Sequence, residues 1–154
     1  MKKLINIVFV IYIIALFKIT VFRDGFEIAG TFNYGKVNFI PFTDLFRIAA
    51  EDLKYFIYLF VGNIVWFAPI GFYMFGFRKA SLVKTLVTGF IVSAVIETMQ
   101  FVFGVGVCEI DDLILNTLGV YIGILSYKVV NLIRRQALFI IRYYGIIIKE
   151  FRRK

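Results

Sequence analysis

The sequence predicts an all-α integral membrane protein, a bundle of four transmembrane helices followed by a C-terminal basic amphipathic helix. Three observations predict this class. The 154 residues are 61% hydrophobic and 19% aromatic, more apolar material than a soluble domain of this size can bury. The apolar residues fall into four long blocks, each near the ~17–25 residues that span the hydrocarbon core. Basic residues flank most of these blocks, and helices are expected because lipid cannot pair with open sheet edges.

The first block covers residues 4–22 and follows Lys2 and Lys3. No small-x-small cleavage site follows it, so we interpret it as an uncleaved helix rather than a signal peptide. The other blocks cover residues 55–77, 86–103 and 112–133. The four spans form one domain, residues 1–133. The longest connection, residues 23–54, is expected to meet the membrane interface at Ile40-Pro41-Phe42.

The distribution of basic residues predicts the orientation. With four spans, the basic residues outside them lie mainly on one side of the bilayer: Lys2, Lys3, Arg78, Lys79, Lys84 and the C-terminal tail. By the positive-inside rule that side is cytoplasmic, so both termini are cytoplasmic. The net charge of +8 is therefore assigned to the membrane surface and not to nucleic acid.

The tail, residues 134–154, is predicted to be a separate amphipathic helix. Arg135, Arg142 and Lys149 recur every seven residues and share one face, with apolar residues away from it. This pattern is typical of a helix on the cytoplasmic leaflet, its cations near anionic lipid headgroups.

Polar residues inside the spans are the candidate site, because each needs a partner in the bilayer. In span three, Glu97 and Gln100 share a helical face with Ser93, and in span four Asp112 and Asn116 lie one turn apart. We expect these side chains to meet toward the outer half of the bundle. The candidate ligand-binding residues are Glu97, Gln100, Asp111, Asp112, Asn116, Asn63, Lys18 and Arg23.

Simpler interpretations remain open for some of these residues. Asn63 and Ser93 are equally explained as hydrogen bonds between helices, and Gly119 and Gly123 as places of close helix approach. One of the two aspartates at 111 and 112 could stabilise the positive end of a helix dipole. Glu97 is not easily explained in either way.

The order and spacing of these residues resemble the VanZ-like family of bacterial membrane proteins. The matching pieces are Asn63-x-x-x-Phe67-x-Pro69-x-Gly71-Phe72, Glu97-x-x-Gln100 and Asp111-Asp112-x-Ile114-x-Asn116-Thr117-x-Gly119-x-x-x-Gly123, with Asn38-Phe39-Ile40-Pro41-Phe42 before them. The aspartate block is the most specific piece. The resemblance implies a multi-span protein of the bacterial cytoplasmic membrane, in a family whose founding member is linked to teicoplanin resistance.

One departure from the family pattern bears on function. Many members carry an Arg a few residues before the aspartate pair, whereas this chain has Gly-Val-Gly-Val-Cys-Glu at residues 104–109. If that Arg binds an anion in the family, this chain lacks that contact, which weighs against a glycopeptide-related role.

The first functional hypothesis is a non-enzymatic factor. It would bind a lipid-linked envelope precursor or an amphiphilic antibiotic at the outer leaflet and lower the access of the antibiotic to its target. Membrane lipids are expected partners, and homo-oligomers are compatible with the sequence.

Two alternatives stay open. The first is an intramembrane enzyme, with Glu97 as acid or base, or with a divalent cation as cofactor on Glu97, Asp111 and Asp112. Against it, the chain has no histidine to activate Ser93 or Cys108. The second is a small transporter or an accessory subunit of one, which would need at least a dimer to enclose a path.

Overall fold

The computed structural model describes residues 2–21 and 34–151, with side chains to residue 144. This part of the chain forms five helices and two short strands. In chain order they are α1 (Lys2–Thr20), β1 (Lys36–Asn38), α2 (Thr43–Glu51), α3 (Leu53–Gly76), α4 (Leu82–Phe103), β2 (Val107–Glu109) and α5 (Ile110–Phe151).

Four of the helices are long and apolar enough to cross a membrane: α1, α3, α4 and residues 110–144 of α5. The predicted all-α membrane bundle is therefore confirmed. Each helix begins earlier than the apolar block from which it was predicted, because its first turn is more polar than the rest. The exposed surface of these helices is rich in aliphatic and aromatic side chains, as lipid contact requires.

Helix α5 differs from the expected arrangement at its C-terminal end. The tail is helical as predicted as far as Phe151, but it continues the fourth span without a break, giving one helix of 42 residues. At 1.5 Å per residue this helix is about 63 Å long, twice the ~30 Å hydrocarbon core. Arg134 and Arg135 do not interrupt it, because arginine is a good helix former. Contact of the tail with a leaflet stays a prediction.

Helices α3 and α5 pack backbone to backbone through glycines. A Cβ added to Gly123 would overlap the carbonyl oxygen of Ala68, and one added to Gly119 would overlap that of Ile64. The close approach predicted at Gly119 and Gly123 is thus confirmed. The core beside this interface consists of six buried side chains from the four long helices and the residue that follows α1: Leu16, Val21, Phe67, Ile70, Ile96 and Val120.

A two-stranded parallel sheet, which the sequence did not predict, ties two connections together at one end of the bundle. Strand β1 lies in the connection after α1, and β2 lies between α4 and α5. Val37 pairs with Cys108, and Asn38 with Glu109. The amide of Gly35 also donates to the carbonyl of Phe101 at 2.7 Å. The pairing holds residues 34–52, called here the cap segment, against the end of the bundle that carries Glu97 and the aspartate pair.

Candidate functional site

The deepest part of the candidate site is a polar contact between α4 and α5. The Nδ2 of Asn116 donates to the Oγ of Ser93 at 2.8 Å, and both residues are buried. Glu97 lies one turn along α4 from Ser93 and is only 2% exposed. Its Oε2 accepts the backbone N–H of Glu109 at 3.0 Å. Glu97 is thereby fixed to the connection that leads into α5, and a carboxyl group is held in the interior.

The two aspartates at the start of α5 make different contacts, because consecutive helical residues project about 100° apart. Asp112 turns toward α3, where its Oδ1 accepts Nδ2 of Asn63 at 2.5 Å. Asp111 turns toward the cap segment, where its Oδ1 accepts the backbone N–H of Phe42 at 2.7 Å. Asp111 is 1% exposed. Asp112 therefore contributes to the interior of the site, whereas Asp111 fastens the segment above it.

The cap segment is shaped by its own short-range hydrogen bonds. Oδ1 of Asn38 accepts the amide of Ile40 at 3.0 Å, and Nδ2 of Asn38 donates to Asp44 at 2.6 Å. Phe42 adopts a left-handed backbone, with φ of 63°, at the turn that enters α2. A phenylalanine in this conformation is strained by ~1–2 kcal/mol, and the bond to Asp111 helps to hold it there. Phe42 and Asp111 are 69 residues apart in the sequence. The hydrogen bond between them joins the Asn38–Phe42 motif and the aspartate pair into one structural unit.

Between the cap segment and the helix ends lies a cavity of about 360 Å³, called here the polar cavity. Its lining is contributed by α1, α2, α3, α4, the connection before α5 and the first turn of α5. The residues are Thr20, Val21, Leu45, Ile48, Tyr55, Leu59, Asn63, Gln100, Val105, Gly106, Val107, Glu109 and Asp112. Gln100 donates through Nε2 to the carbonyl of Thr20 at 3.1 Å, while its buried Oε1 finds no partner among the described residues.

The structure brings together most of the residues predicted for the site. Glu97, Gln100, Asp112, Asn116 and Asn63 gather where α3, α4 and α5 meet below the cap segment. Whether they bind a ligand stays a prediction. Asp111 lies beside them but faces the cap.

Neither of the two cations predicted for the site is observed at the polar cavity. Lys18 is exposed on α1 and does not line the polar cavity. Arg23 lies outside the described residues.

Sequence reasoning missed three charged residues near the cavity. Glu109 lines it directly, and Asp44 and Arg47 from α2 act on Glu109 electrostatically. Arg47 is 2.8 Å from Asp44. Glu109 could have been predicted from its position two residues before the aspartate pair. Helix α2 could not, because the connection that contains it has a mixed composition with no clear helical pattern.

The polar cavity is acidic. Partial burial, followed by the neighbouring carboxylates beginning with Asp112, raises the pKa of Glu109 to about 7, while Arg47 acts in the opposite direction. The carboxylates around Glu109 therefore outweigh the positive charge of Arg47. Such a cavity suits a ligand group that brings a positive charge or hydrogen-bond donors.

A divalent cation was one way to balance these carboxylates. Within residues 2–21 and 34–151, no group of three or more His, Cys, Asp or Glu side chains is placed to hold a metal ion. Among the three residues predicted to hold a metal, which are Glu97, Asp111 and Asp112, Asp111 already accepts a hydrogen bond from the Phe42 amide through one carboxylate oxygen.

Cys108 lies in β2 beside the cavity. Burial, and then nearby carboxylates beginning with Glu97, raises the pKa of the Cys108 thiol. The thiol is therefore protonated near neutral pH and is a poor nucleophile.

We expect Asp111→Ala to loosen the cap segment. A hydrogen bond to a charged acceptor contributes ~1.5–3 kcal/mol, so amide exchange of Phe42 and its neighbours should speed up about 10- to 100-fold. Hydrogen exchange followed by mass spectrometry measures this. Asp111→Asn keeps an acceptor oxygen and is the matched control. Unchanged exchange over residues 39–46 in Asp111→Ala would contradict the assigned role.

Comparisons with known proteins agree with this arrangement of motifs. The sequence model of the VanZ/LLP1 family matches residues 9–132, which include α3, α4, the cap segment and the aspartate pair. Protein VanZ of Enterococcus faecium is 27% identical over 124 residues, covering 79% of this chain and 71% of that protein. No solved structure matches the chain. The chain is a membrane protein that belongs to the VanZ/LLP1 family.

Proposed function

We propose that this protein binds an amphiphile at the outer leaflet of the bacterial cell membrane through the polar cavity, and thereby lowers the access of an antibiotic to its target. The amphiphile is a lipid-linked envelope component or an amphiphilic glycopeptide. The observation that carries the proposal is the cavity itself, about 360 Å³ in volume at one end of a helical bundle, whose lining combines the acidic and amide side chains Asp112, Glu109, Asn63 and Gln100 with apolar ones.

The chemistry of the lining indicates which part of the amphiphile is recognised. Asp112 and Glu109 offer carboxylate oxygens, and Gln100 offers a buried amide oxygen that has no hydrogen-bond partner within the described part of the chain. These groups are acceptors. They favour an ammonium, amide or hydroxyl group over a phosphate, because charge-assisted hydrogen bonds need a donor on the ligand. The ligand contact predicted for Lys18 is not supported by its exposed position on α1.

The basic residues support an outward-facing cavity. Lys2, Lys3, Arg78, Lys79 and Lys84 lie at the end of the bundle opposite the cap segment. Under the positive-inside rule the basic end is cytoplasmic, so the polar cavity opens on the outer side.

The cap segment carries apolar side chains that suit the outer membrane interface. Phe39, Ile40 and Phe46 are each about 70% exposed. Tyr55 and Tyr58, in the first turns of α3, are also exposed at this end, as in the aromatic belts of membrane proteins. A cavity at this level is within reach of a headgroup whose acyl chains remain in the leaflet.

The family supports the resistance part of the proposal. The VanZ-like family includes a founding member linked to teicoplanin resistance, and protein VanZ matches most of this chain. The difference before the aspartate pair bears on the ligand, since Glu109 stands near the place where many members carry an arginine. An amine or hydroxyl is therefore the better-matched group here.

The proposal is tested in two steps. Expression in a teicoplanin-sensitive bacterium is expected to raise the inhibitory concentration relative to an empty vector. Purified protein in nanodiscs is expected to bind a fluorescent amine-bearing lipoglycopeptide and to bind its N-acetylated form more weakly. Equal inhibitory concentrations would remove the resistance role, and equal binding of the two forms would remove the acidic recognition.

The ionisation of Glu109 gives a prediction on pH. The pKa of Glu109 is raised from its ordinary 4.5 to about 7, so its carboxyl is half ionised near pH 7 and almost fully ionised only above about pH 8. The affinity for an ammonium ligand is expected to rise between about pH 6 and pH 8 and then to level off. The charged groups that act on Glu109 are Asp112, Asp44, Asp111 and Arg47, and the carboxyl of Glu97 lies against its backbone amide. Glu109→Gln should flatten the rise; an equally steep rise in that variant would show that Glu109 is not its source.

A further inference from the structure

A second cavity, separate from the polar cavity, runs between α1 and the helices α3 and α5. It has a volume of about 520 Å³ and is called here the α1–α3 groove. Its lining is almost wholly aliphatic and aromatic, with Ile5 and Val8 on α1, Val65 and Phe77 at α3 and its end, and Ser126 on α5. The Ser126 hydroxyl donates to the carbonyl of Ile122 at 2.9 Å, so it offers no free donor to a ligand. The groove is therefore an apolar channel at membrane depth.

The width of the α1–α3 groove is fixed by polar and aromatic contacts between its walls. The hydroxyl of Tyr73 donates to Oδ1 of Asn6 at 2.9 Å, and that of Tyr12 donates to the backbone carbonyl of Trp66. The rings of Phe9 and Tyr73 stack with centroids 3.7 Å apart. Hydrogen bonds between helices contribute ~0.6–2 kcal/mol each in a bilayer, so these contacts hold α1 at a set distance from α3.

The end of the groove at Ile5 and Phe77 is surrounded by cations. Lys2 and Lys3 lie three and two residues before Ile5, within one helical turn of it, and Arg78 directly follows Phe77. Lys79 donates to the hydroxyl of Tyr127, next to the lining residue Ser126, at 3.1 Å. Positive charge thus gathers where the apolar channel meets the membrane surface.

From this arrangement we infer that the α1–α3 groove binds one acyl chain of an anionic phospholipid from the leaflet at the basic end of the bundle. A methylene group has about the volume of a water molecule, ~30 Å³, so the groove accommodates a chain of roughly 15 carbons. The phosphate of the same lipid lies among Lys2, Lys3 and Arg78, each of which attracts an anionic headgroup at the membrane surface. The charge at the mouth favours this occupant over the helix of a second copy, which would bring basic residues of its own.

The test measures lipid retained by the purified full-length chain after detergent exchange, using native mass spectrometry and lipid analysis. We expect about one anionic phospholipid per chain. Val65→Trp and Val8→Trp fill the groove from opposite walls, and each should lower retention at least about tenfold. Val87→Trp is the matched control, because Val87 is about as exposed but lies on α4 outside the groove. Thermal unfolding establishes that the variants remain folded.

A second set of variants tests the headgroup. Replacing Lys2, Lys3 and Arg78 with glutamine should reduce the preference for anionic over zwitterionic lipid by about fivefold per charge, the equivalent of ~1 kcal/mol each. Three outcomes would overturn the inference: equal lipid loss in Val65→Trp and Val87→Trp, equal retention of anionic and zwitterionic lipid by the wild type, or a lipid-free dimer that Val65→Trp dissociates. None of these outcomes bears on the polar cavity.

Discussion

Replacing Gly123 with alanine is expected to lower the free energy of unfolding by roughly 3 kcal/mol, the upper end of the cost of overpacking. The added Cβ would overlap the carbonyl oxygen of Ala68, with the amide nitrogen of Phe72 also within 3 Å. Both are backbone atoms of α3, so no side chain can rotate to make room. The helices must separate, and the contact between α3 and α5 that places Asn63 beside Asp112 would separate with them.

Gly62→Ala is the matched control for this prediction. Gly62 lies on α3 of the same pair of helices, but outside its own stretch of helix a Cβ at this position meets no atom of the described residues within 4 Å. Since alanine is a better helix former than glycine by ~1 kcal/mol, Gly62→Ala should be neutral or slightly stabilising. Unfolding in mixed micelles with increasing denaturing detergent measures both variants. Equal destabilisation would mean that close backbone packing is not what Gly123 provides.

Asp112→Asn is expected to weaken binding of an amine-bearing amphiphile by about 10- to 100-fold. The change removes a charged acceptor from the polar cavity, and hydrogen bonds to charged groups contribute ~1.5–3 kcal/mol. The fold should persist, because the amide oxygen of asparagine can still accept from Asn63. Binding in nanodiscs and protection of a sensitive bacterium measure the effect.

Asp52→Asn is the matched control for the loss of charge. Asp52 lies at the same end of the chain's bundle but outside the polar cavity, where it caps α3 by accepting the amides of Lys54 and Tyr55. Asparagine caps helices about as well as aspartate. This variant should therefore retain binding. Similar losses in the two variants would assign the effect to total surface charge and would count against the cavity.

The meeting of the central site residues could be predicted from sequence because helical spacing determines which residues share a face. Glu97 and Ser93 share a face of α4, and Asp112 and Asn116 share a face of α5. The two helices are joined by a short turn, so those faces meet. The observed bond between Asn116 and Ser93 is the direct result.

The cap segment could not be predicted in the same way. A three-residue strand is too short to show alternation, and the pairing of Asn38 with Glu109 joins residues far apart in sequence. Only the folded arrangement brings Glu109 and α2 to the cavity. The outward direction of Lys18 could not be predicted for another reason. Helix α1 is apolar almost all round, so its sequence does not show which side faces the bundle.

The continuity of the fourth span with the helical tail could not be predicted, because the end of an apolar block marks a membrane boundary and not a helix boundary. Arg134 and Arg135 mark where the apolar block stops, and lipid no longer favours the chain there. The backbone hydrogen bonds of the helix continue past these arginines, because the following residues also favour helix.

Because α5 is continuous, a tilt at one end is transmitted to the other. One end carries Asp111, fixed to the cap, and Asp112, directed at the cavity, while the other end stands clear of the bundle about 60 Å away. Without a hinge, a tilt of about 5° at the first turn displaces the distant end by about 5 Å. Under the proposed function, a ligand that draws Asp112 toward itself is therefore expected to move the basic far end of α5 as well.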